Sequence, residues 1–411
     1  MERTPIIVLP PRIAVLRDSS ETYLKINIQE FNLYFKNMIL PYREEYDVQI
    51  RCDYGRNFGT FWRLSEFPHD IDSFDLEVVI YNEYGEQIAS KKTLIELCDR
   101  KESDPNYHLL CIGDSMTYSN VYLEHVASNI HNIVFKGIRN NFGHIAHEGR
   151  GGWSYRNFFQ NYENNFGVSP FLFPKGVDGY MGNIDFIREL NDEAACQYNF
   201  TGYKKYTFEE GAVYGDGGKL YRYVNGDFQL YCDKPQWEAD FGKYVERYQV
   251  GQIDCVSLLM GANDLQYTTY ENSDEEIAQY IANTRKMIDL IHRYDQNIAI
   301  IVNLPVSGAE AYAWGTQLGC KSSSKMYRYN IMRASEALIS HFGDSEDENI
   351  YICPMLLCID PENGFPHEYY RVNRYSEMQK KHQSNWVHPN RAGYFQMADA
   401  LCGTLQKIRH K

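Results

Sequence analysis

The 411-residue chain contains no run of about 18 apolar residues, so nothing in it reads as a bilayer-spanning helix. It has no excess of positive charge either. Its formal net charge is −14, which argues against a partner held through many phosphate contacts, whether nucleic acid or an anionic membrane. Ten cysteines occur without a single Cys-x-x-Cys pair, and the closest two, Cys353 and Cys358, match no zinc spacing. A disulfide framework is not expected in a chain of this length, so these read as reduced thiols of a reducing compartment, with cytoplasm the expected location. The N-terminal apolar piece Ile6-Ile7-Val8-Leu9 runs into Pro10-Pro11 without a basic flank or a small-residue cleavage site, so no export signal is expected. His144 and His147 stand three apart, but no third ligand is spaced to join them. Neither a metal nor another cofactor is called for. The Gly-x-Ser-x-Gly elbow of the α/β-hydrolases is also missing.

What is present is ample apolar material, 44% of residues, arranged in two styles. From about Tyr23 to Leu97 short alternating segments, such as Tyr23 to Ile28 and Asp47 to Arg51, predict strands, and the pair Phe74 to Tyr81 and Gln87 to Leu97 flanks a Gly85 turn. A small all-β sandwich over residues 1–105 follows. The charged, proline-containing stretch Asp99 to Asn106 suits a linker. Beyond it apolar strands alternate with helices, the pattern of a parallel sheet covered on both faces. Strands are expected at His108 to Ile112, Ile133 to Ile138, Cys255 to Met260, Ile298 to Leu304 and Ile350 to Cys353. Helices are expected from Ser273, with a Ser273/Glu276 capping box, from Ser323 to Phe342 and from Arg391 to Ile408. The predicted fold class for residues 106–411 is therefore α/β. An aromatic- and glycine-rich insertion at about 155–249 interrupts it, with Asn225-Gly226 marking a type I′ hairpin.

Ser115, in Gly113-Asp114-Ser115, sits where the first of these strands ends and a helix begins, the edge at which open α/β sheets bind ligands. Alone, such a tripeptide is an ordinary turn or N-cap. Its company carries the reading. Glu148-Gly149-Arg150-Gly151-Gly152-Trp153-Ser154 follows, then Gly261-Ala262-Asn263-Asp264 directly after an apolar strand, then Val387-His388-Pro389-Asn390 before the final helix. In this order the four blocks resemble the SGNH hydrolases, or GDSL esterases and lipases, over about residues 106–411. The resemblance implies a three-layer α/β/α domain with a flavodoxin-like sheet. It also implies that Ser115 is the nucleophile, that His388 is the general base, and that the Ser115 and Gly152 backbone N–H groups and the Asn263 amide form the oxyanion hole. The chemistry is coherent on its own terms. A serine hydroxyl needs a base, imidazole titrates in the right range, and the developing alkoxide needs preorganised donors.

One block departs from the family. Where an aspartate usually stands three residues before the histidine, this chain has Asn385, whose amide oxygen could hold the imidazole but could not stabilise imidazolium with charge. Asp264, adjoining Asn263, is the alternative acid. A separate sandwich domain, together with a polar aromatic insertion and no amphipathic membrane helix, favours a small acyl group, acetyl first, on a carbohydrate. Asp114, Trp153, Phe171, Phe173 and Trp386, with Tyr180, are the expected substrate contacts. A lipid, thioester or aryl esterase of the same family is the rival enzyme. A carbohydrate-binding or scaffold protein without turnover is the rival from another class. The expected partner is an oligosaccharide or small ester, with self-association left open.

Overall fold

The computed structural model describes residues 4–17, 30–100, 105–139, 145–160, 169–184, 207–216 and 218–411. Period-two burial marks Phe61–Leu64 and parts of Ser73–Tyr81 and Gln87–Asp99, whereas Arg12–Arg17 and Phe31–Tyr34 are buried almost throughout. Arg12–Arg17, Gln87–Asp99, Ser73–Tyr81 and Asp47–Arg51 form one four-stranded sheet in that order, and Phe31–Tyr34, Phe61–Leu64 and Arg56–Asn57 form a second of three. Leu33, Trp62 and Leu64 from one sheet join Val48, Leu76, Val78 and Ile95 from the other in one buried cluster, so the alternating pattern is explained by a shared interior. Asp47–Arg51 and the hairpin around Gly85 lie as expected, Gly85 taking a positive φ of 75°. The expected strand Tyr23 to Ile28 lies outside the described residues.

The second part is a mixed α/β structure on a parallel sheet, ordered Ile133–Lys136, Tyr107–Gly113, Cys255–Leu259, Ala299–Asn303, Ile350–Cys353. Every residue of Cys255–Leu259 and Ala299–Asn303 is buried, as strands covered on both faces must be. Helix Val121–Asn129 packs on Arg391–Arg409, and Ser273–His292 on Ser324–Phe342. The last of these begins where the sequence predicts, with Ser323 Oγ accepting the Met326 N–H. The Ser273/Glu276 capping box does not form. Ser273 is already inside its helix, behind Asn272, and its hydroxyl donates to Asn330 Oδ1 at 2.7 Å, a buried partner that outcompetes the local one.

The linker expected near residue 105 separates two sheets without separating two cores, because one apolar cluster runs through both parts. The C-terminal helix lies so close to the N-terminal strand that a Cβ on Gly403 would stand 2.3 Å from the Ala14 carbonyl oxygen. Further along, Asn37 donates to the carbonyls of Leu356 and Ile359, and Gln406 to that of Asp99.

The insertion has structure of its own. Strands Tyr180–Asn183, Val213–Asp216, Lys219–Val224 and Asp227–Cys232 make a sheet. Asn225 and Gly226 both have positive φ, 52° and 86°, as a type I′ turn requires. Strand Leu172–Pro174 pairs with Trp237–Ala239 within the insertion, bringing its early and late parts together. No helix among the described residues is long and apolar enough to cross a membrane.

Candidate active site

Sheet register builds the site. Gly113 pairs with Gly149 on one side and with Leu259 on the other, so three strand ends stand next to each other. Two residues beyond Gly113 comes Ser115, three beyond Gly149 comes Gly152, and four beyond Leu259 comes Asn263. The close fit requires glycine. A Cβ on Gly149 would stand 2.3 Å from the backbone nitrogen of Tyr118, in the helical turn that carries Ser115. Gly152 has φ 77°, a conformation that costs a side-chain-bearing residue free energy.

Ser115 opens a short helix, Ser115–Tyr118, behind an Asp114 N-cap whose Oδ1 accepts the Met116 N–H at 2.9 Å. From the C-terminal side of the sheet the loop before helix Arg391–Arg409 brings in His388, and Ser115 Oγ lies 2.7 Å from its Nε2. Burial holds the His388 imidazole below its usual pKa of 6.5, which keeps it neutral and able to accept the serine proton.

At these neighbouring strand ends three donors are not used up. Among the described residues neither the Ser115 nor the Gly152 backbone N–H donates to a backbone or side-chain acceptor. Asn263 Nδ2 gives one hydrogen to the Trp153 carbonyl at 2.9 Å and keeps its second. That bond fastens the Asn263 turn to the Gly152 turn. The arrangement can deprotonate a hydroxyl and stabilise an oxyanion beside it.

Asn385 is placed differently from expectation. Its Oδ1 accepts the backbone N–H of His388 at 3.0 Å and that of Val387 at 3.3 Å, so it fixes the main chain of the histidine loop. Among the described residues no side chain hydrogen-bonds Nδ1 of His388. An amide two to three residues ahead of a turn finds backbone N–H groups before it can reach a ring. Asp264 does not supply the missing acid either. Its Oδ1 accepts the Tyr155 N–H at 3.0 Å, and its Oδ2 is buried without a hydrogen-bond partner. Burial pushes the Asp264 carboxyl up to about 7, with the charge of nearby Asp114 adding to the shift, and burial likewise pushes Asp114 up to about 7.

The expected substrate contacts are mostly interior. Asp114 is buried as a helix cap. Trp153, Phe171 and Phe173 are buried as well, Trp153 packing edge-on to Phe158 and Phe158 stacking on Phe171, which meets Phe241 and Tyr244. These rings seat the insertion on the domain and leave no face for a sugar. Tyr180 packs edge-on to Phe173 and Trp237. Trp386, two residues before His388, is half-buried against Trp314. Residues that sequence reading passed over include Tyr267 and Tyr270, exposed on the loop after Asn263. Their signal was the position, directly behind the Gly-Ala-Asn-Asp block.

A buried ion pair supports the Gly152 turn. Glu148 and Arg150 meet at 2.8 Å with both side chains at most 1% exposed. Glu148 also accepts from the Tyr244 hydroxyl and the Ile138 N–H, and the Arg150 guanidinium lies over Trp153. Through its main chain Arg150 donates to the Gly113 carbonyl and accepts from Trp153, spanning both halves of the site. His147 is buried beside it and accepts the Gly149 N–H on Nδ1, and burial pushes its pKa down to about 3. His144 lies outside the described residues. Among those described, no group of three or more His, Cys, Asp or Glu is placed to hold a metal ion.

No family model matches the chain, and no curated protein matches it. Solved structures that resemble it include a lipase/acylhydrolase from Enterococcus faecalis, at 11% identity and a TM-score of 0.33, covering 73% of this chain and 96% of that one. Another is a carbohydrate acetylesterase family member from Sinorhizobium meliloti, at 11% identity and a TM-score of 0.32, covering 74% of this chain and all of that one.

Proposed function

We propose that the chain is a serine esterase of the SGNH type that removes small acyl groups, acetyl first, from a carbohydrate. The observation that carries the reading is the Ser115–His388 contact at 2.7 Å beside three unspent donors from adjacent strand ends. In this reading His388 takes the Ser115 proton as Oγ attacks the ester carbonyl. The oxyanion is held by the N–H groups of Ser115 and Gly152 and by Asn263 Nδ2. The sugar hydroxyl leaves with the proton from His388, and water repeats the sequence on the acyl-enzyme. The working unit is a Ser–His dyad whose base is held through its backbone by Asn385. Two packed helix pairs, each with one member on strand Ile350–Cys353, are compatible with the outer layers of a flavodoxin-like domain.

Hydrolysis of an activated acetate ester tests the nucleophile, measured beside Ser115→Ala. Equal rates in the two proteins would leave a non-catalytic binding protein as the better account. A series of esters of rising acyl length, set against acetylated oligosaccharides, tests the substrate class. Rates that climb with chain length would favour a lipid or thioester hydrolase.

A further inference from the structure

Between the parallel sheet and His388 the chain makes a two-stranded hairpin, His367–Arg371 paired with Gln379–Gln383, that has no further strand beside it among the described residues. A lone pair of strands is marginal in water, so this one depends on its base and on whatever covers it. The base is tightly built. Gln383, buried, donates to the carbonyls of Pro361 and Glu362 and accepts the Glu310 N–H, while Glu310 Oε1 accepts the Gln383 N–H. One face of the ribbon is also covered, because Tyr312 stacks on His382 at 4.3 Å and meets Tyr370 at 4.5 Å.

The other face and the tip are bare. Tyr369 is 68% exposed, Tyr375 80% and Met378 63%. Register puts Lys381 directly across from Tyr369, and Arg371 lies two residues along the same face. Over residues 367–383 four cations, Arg371, Arg374, Lys380 and Lys381, stand against Glu368 and Glu377, in a chain whose net charge is −14. Glu368 accepts from the Tyr370 hydroxyl, and Glu377 is paired with Arg371 at 3.3 Å. Local charge decides what such an arm meets. Exposed charges are screened beyond about 8 Å at physiological salt, and a ribbon of five pairs extends about 17 Å, so the acidic body does not cancel the field at its tip.

We propose that this hairpin is a polymer-binding arm that holds an acidic glycan, one bearing carboxylate or phosphate groups, and leads it to Ser115. The aromatic face of Tyr369 suits the C–H face of a sugar ring, and the flanking Lys381 and Arg371 suit its anionic substituents. Position is compatible with the same occupant. Gln383, at the base of the arm, is five residues from His388, no more than about 18 Å along the chain. Binding of the glycan stands on the hairpin alone, whereas its being the substrate rests on the esterase reading above.

The test uses the whole chain, the Arg371→Gln/Lys381→Gln double variant and Tyr369→Ala, each with its melting curve as the check on folding. Binding of unmodified polygalacturonate is measured first, because it needs no turnover. Removing two exposed charges should weaken it about threefold to tenfold, and the wild-type affinity should fall with added salt more steeply than that of the variant. The same variants should raise KM on acetylated polygalacturonate by a similar factor while leaving kcat in place. Binding equal in all three proteins overturns the proposal, as does a loss seen only as dissociation of a dimer or only on vesicles containing phosphatidylglycerol. Retained glycan binding in a protein that hydrolyses no acetate would overturn the esterase reading and leave the arm standing.

Discussion

In the proposed mechanism Asn263 has two roles that respond to one substitution by different amounts. In Asn263→Ala the 2.9 Å bond to the Trp153 carbonyl disappears, a neutral hydrogen bond between half-buried groups worth about 0.5–1.5 kcal/mol of stability. The second hydrogen, which the proposed mechanism assigns to the oxyanion, disappears too. By analogy with a studied oxyanion asparagine, that loss costs about 2.7–4 kcal/mol of barrier, or about 10²- to 10³-fold in kcat. The assay is steady-state hydrolysis of 4-nitrophenyl acetate together with urea unfolding of both proteins. The expected result is a fall in kcat of at least about a hundredfold with a small shift of the unfolding midpoint. Asn263→Asp should be worse than alanine, because a carboxylate facing an oxyanion repels it and also opposes the Trp153 carbonyl. A loss under tenfold with the fold intact would remove Asn263 from the oxyanion hole. A stability loss as large as the rate loss would make it a structural tie alone.

Three other perturbations test neighbouring parts of the argument. The acid limb of kcat/KM should have its midpoint below pH 6.5, since the base works as neutral imidazole and burial lowers the His388 pKa; a midpoint at or above 6.5 would contradict this. Asn385→Asp keeps the bonds to the backbone of residues 387 and 388 and adds a charge that favours imidazolium, so it should raise that midpoint and preserve turnover, whereas Asn385→Ala should lower kcat by freeing the loop. Glu148→Gln leaves the Arg150 guanidinium buried without its counter-charge, and urea unfolding should record a loss of about 3–5 kcal/mol; a change below about 1 kcal/mol would mean that Arg150 relaxes to water.

Much of this was legible in the chain because the signals are local. Strand ends, Gly-rich turns and the order of four short blocks need only their own neighbours to be read, and they led to Ser115, Gly152, Asn263 and His388. The aromatic residues were read wrongly for the opposite reason. Whether Phe171 faces a ligand depends on Phe241 and Tyr244, about 70 residues further on, and the Phe173 ring lies under Lys243; composition carries no trace of that packing. The role of Asn385 was half legible. That an amide stands near the imidazole follows from spacing, but its choice of backbone over ring follows from how tightly the loop turns. The shared core left one signal in Ala400 to Gln406, where seven consecutive helical residues are all buried. A helix covered by one neighbour buries a stripe, and burial all round means that a second body lies on its far side.

That second body is the strand Arg12–Arg17, and its dependence on Gly403 concerns the order in which the chain is made. The N-terminal sheet emerges from the ribosome first, yet one of its faces has no cover until the helix Arg391–Arg409 arrives, so its apolar side must wait through synthesis of the entire α/β part. In the folded chain that helix covers the strand, and the residues just ahead of Arg391 carry His388, whose Nε2 lies 2.7 Å from Ser115 Oγ. The same helix thus touches both the N-terminal strand and the stretch that leads to His388, so a change at Gly403 bears on both.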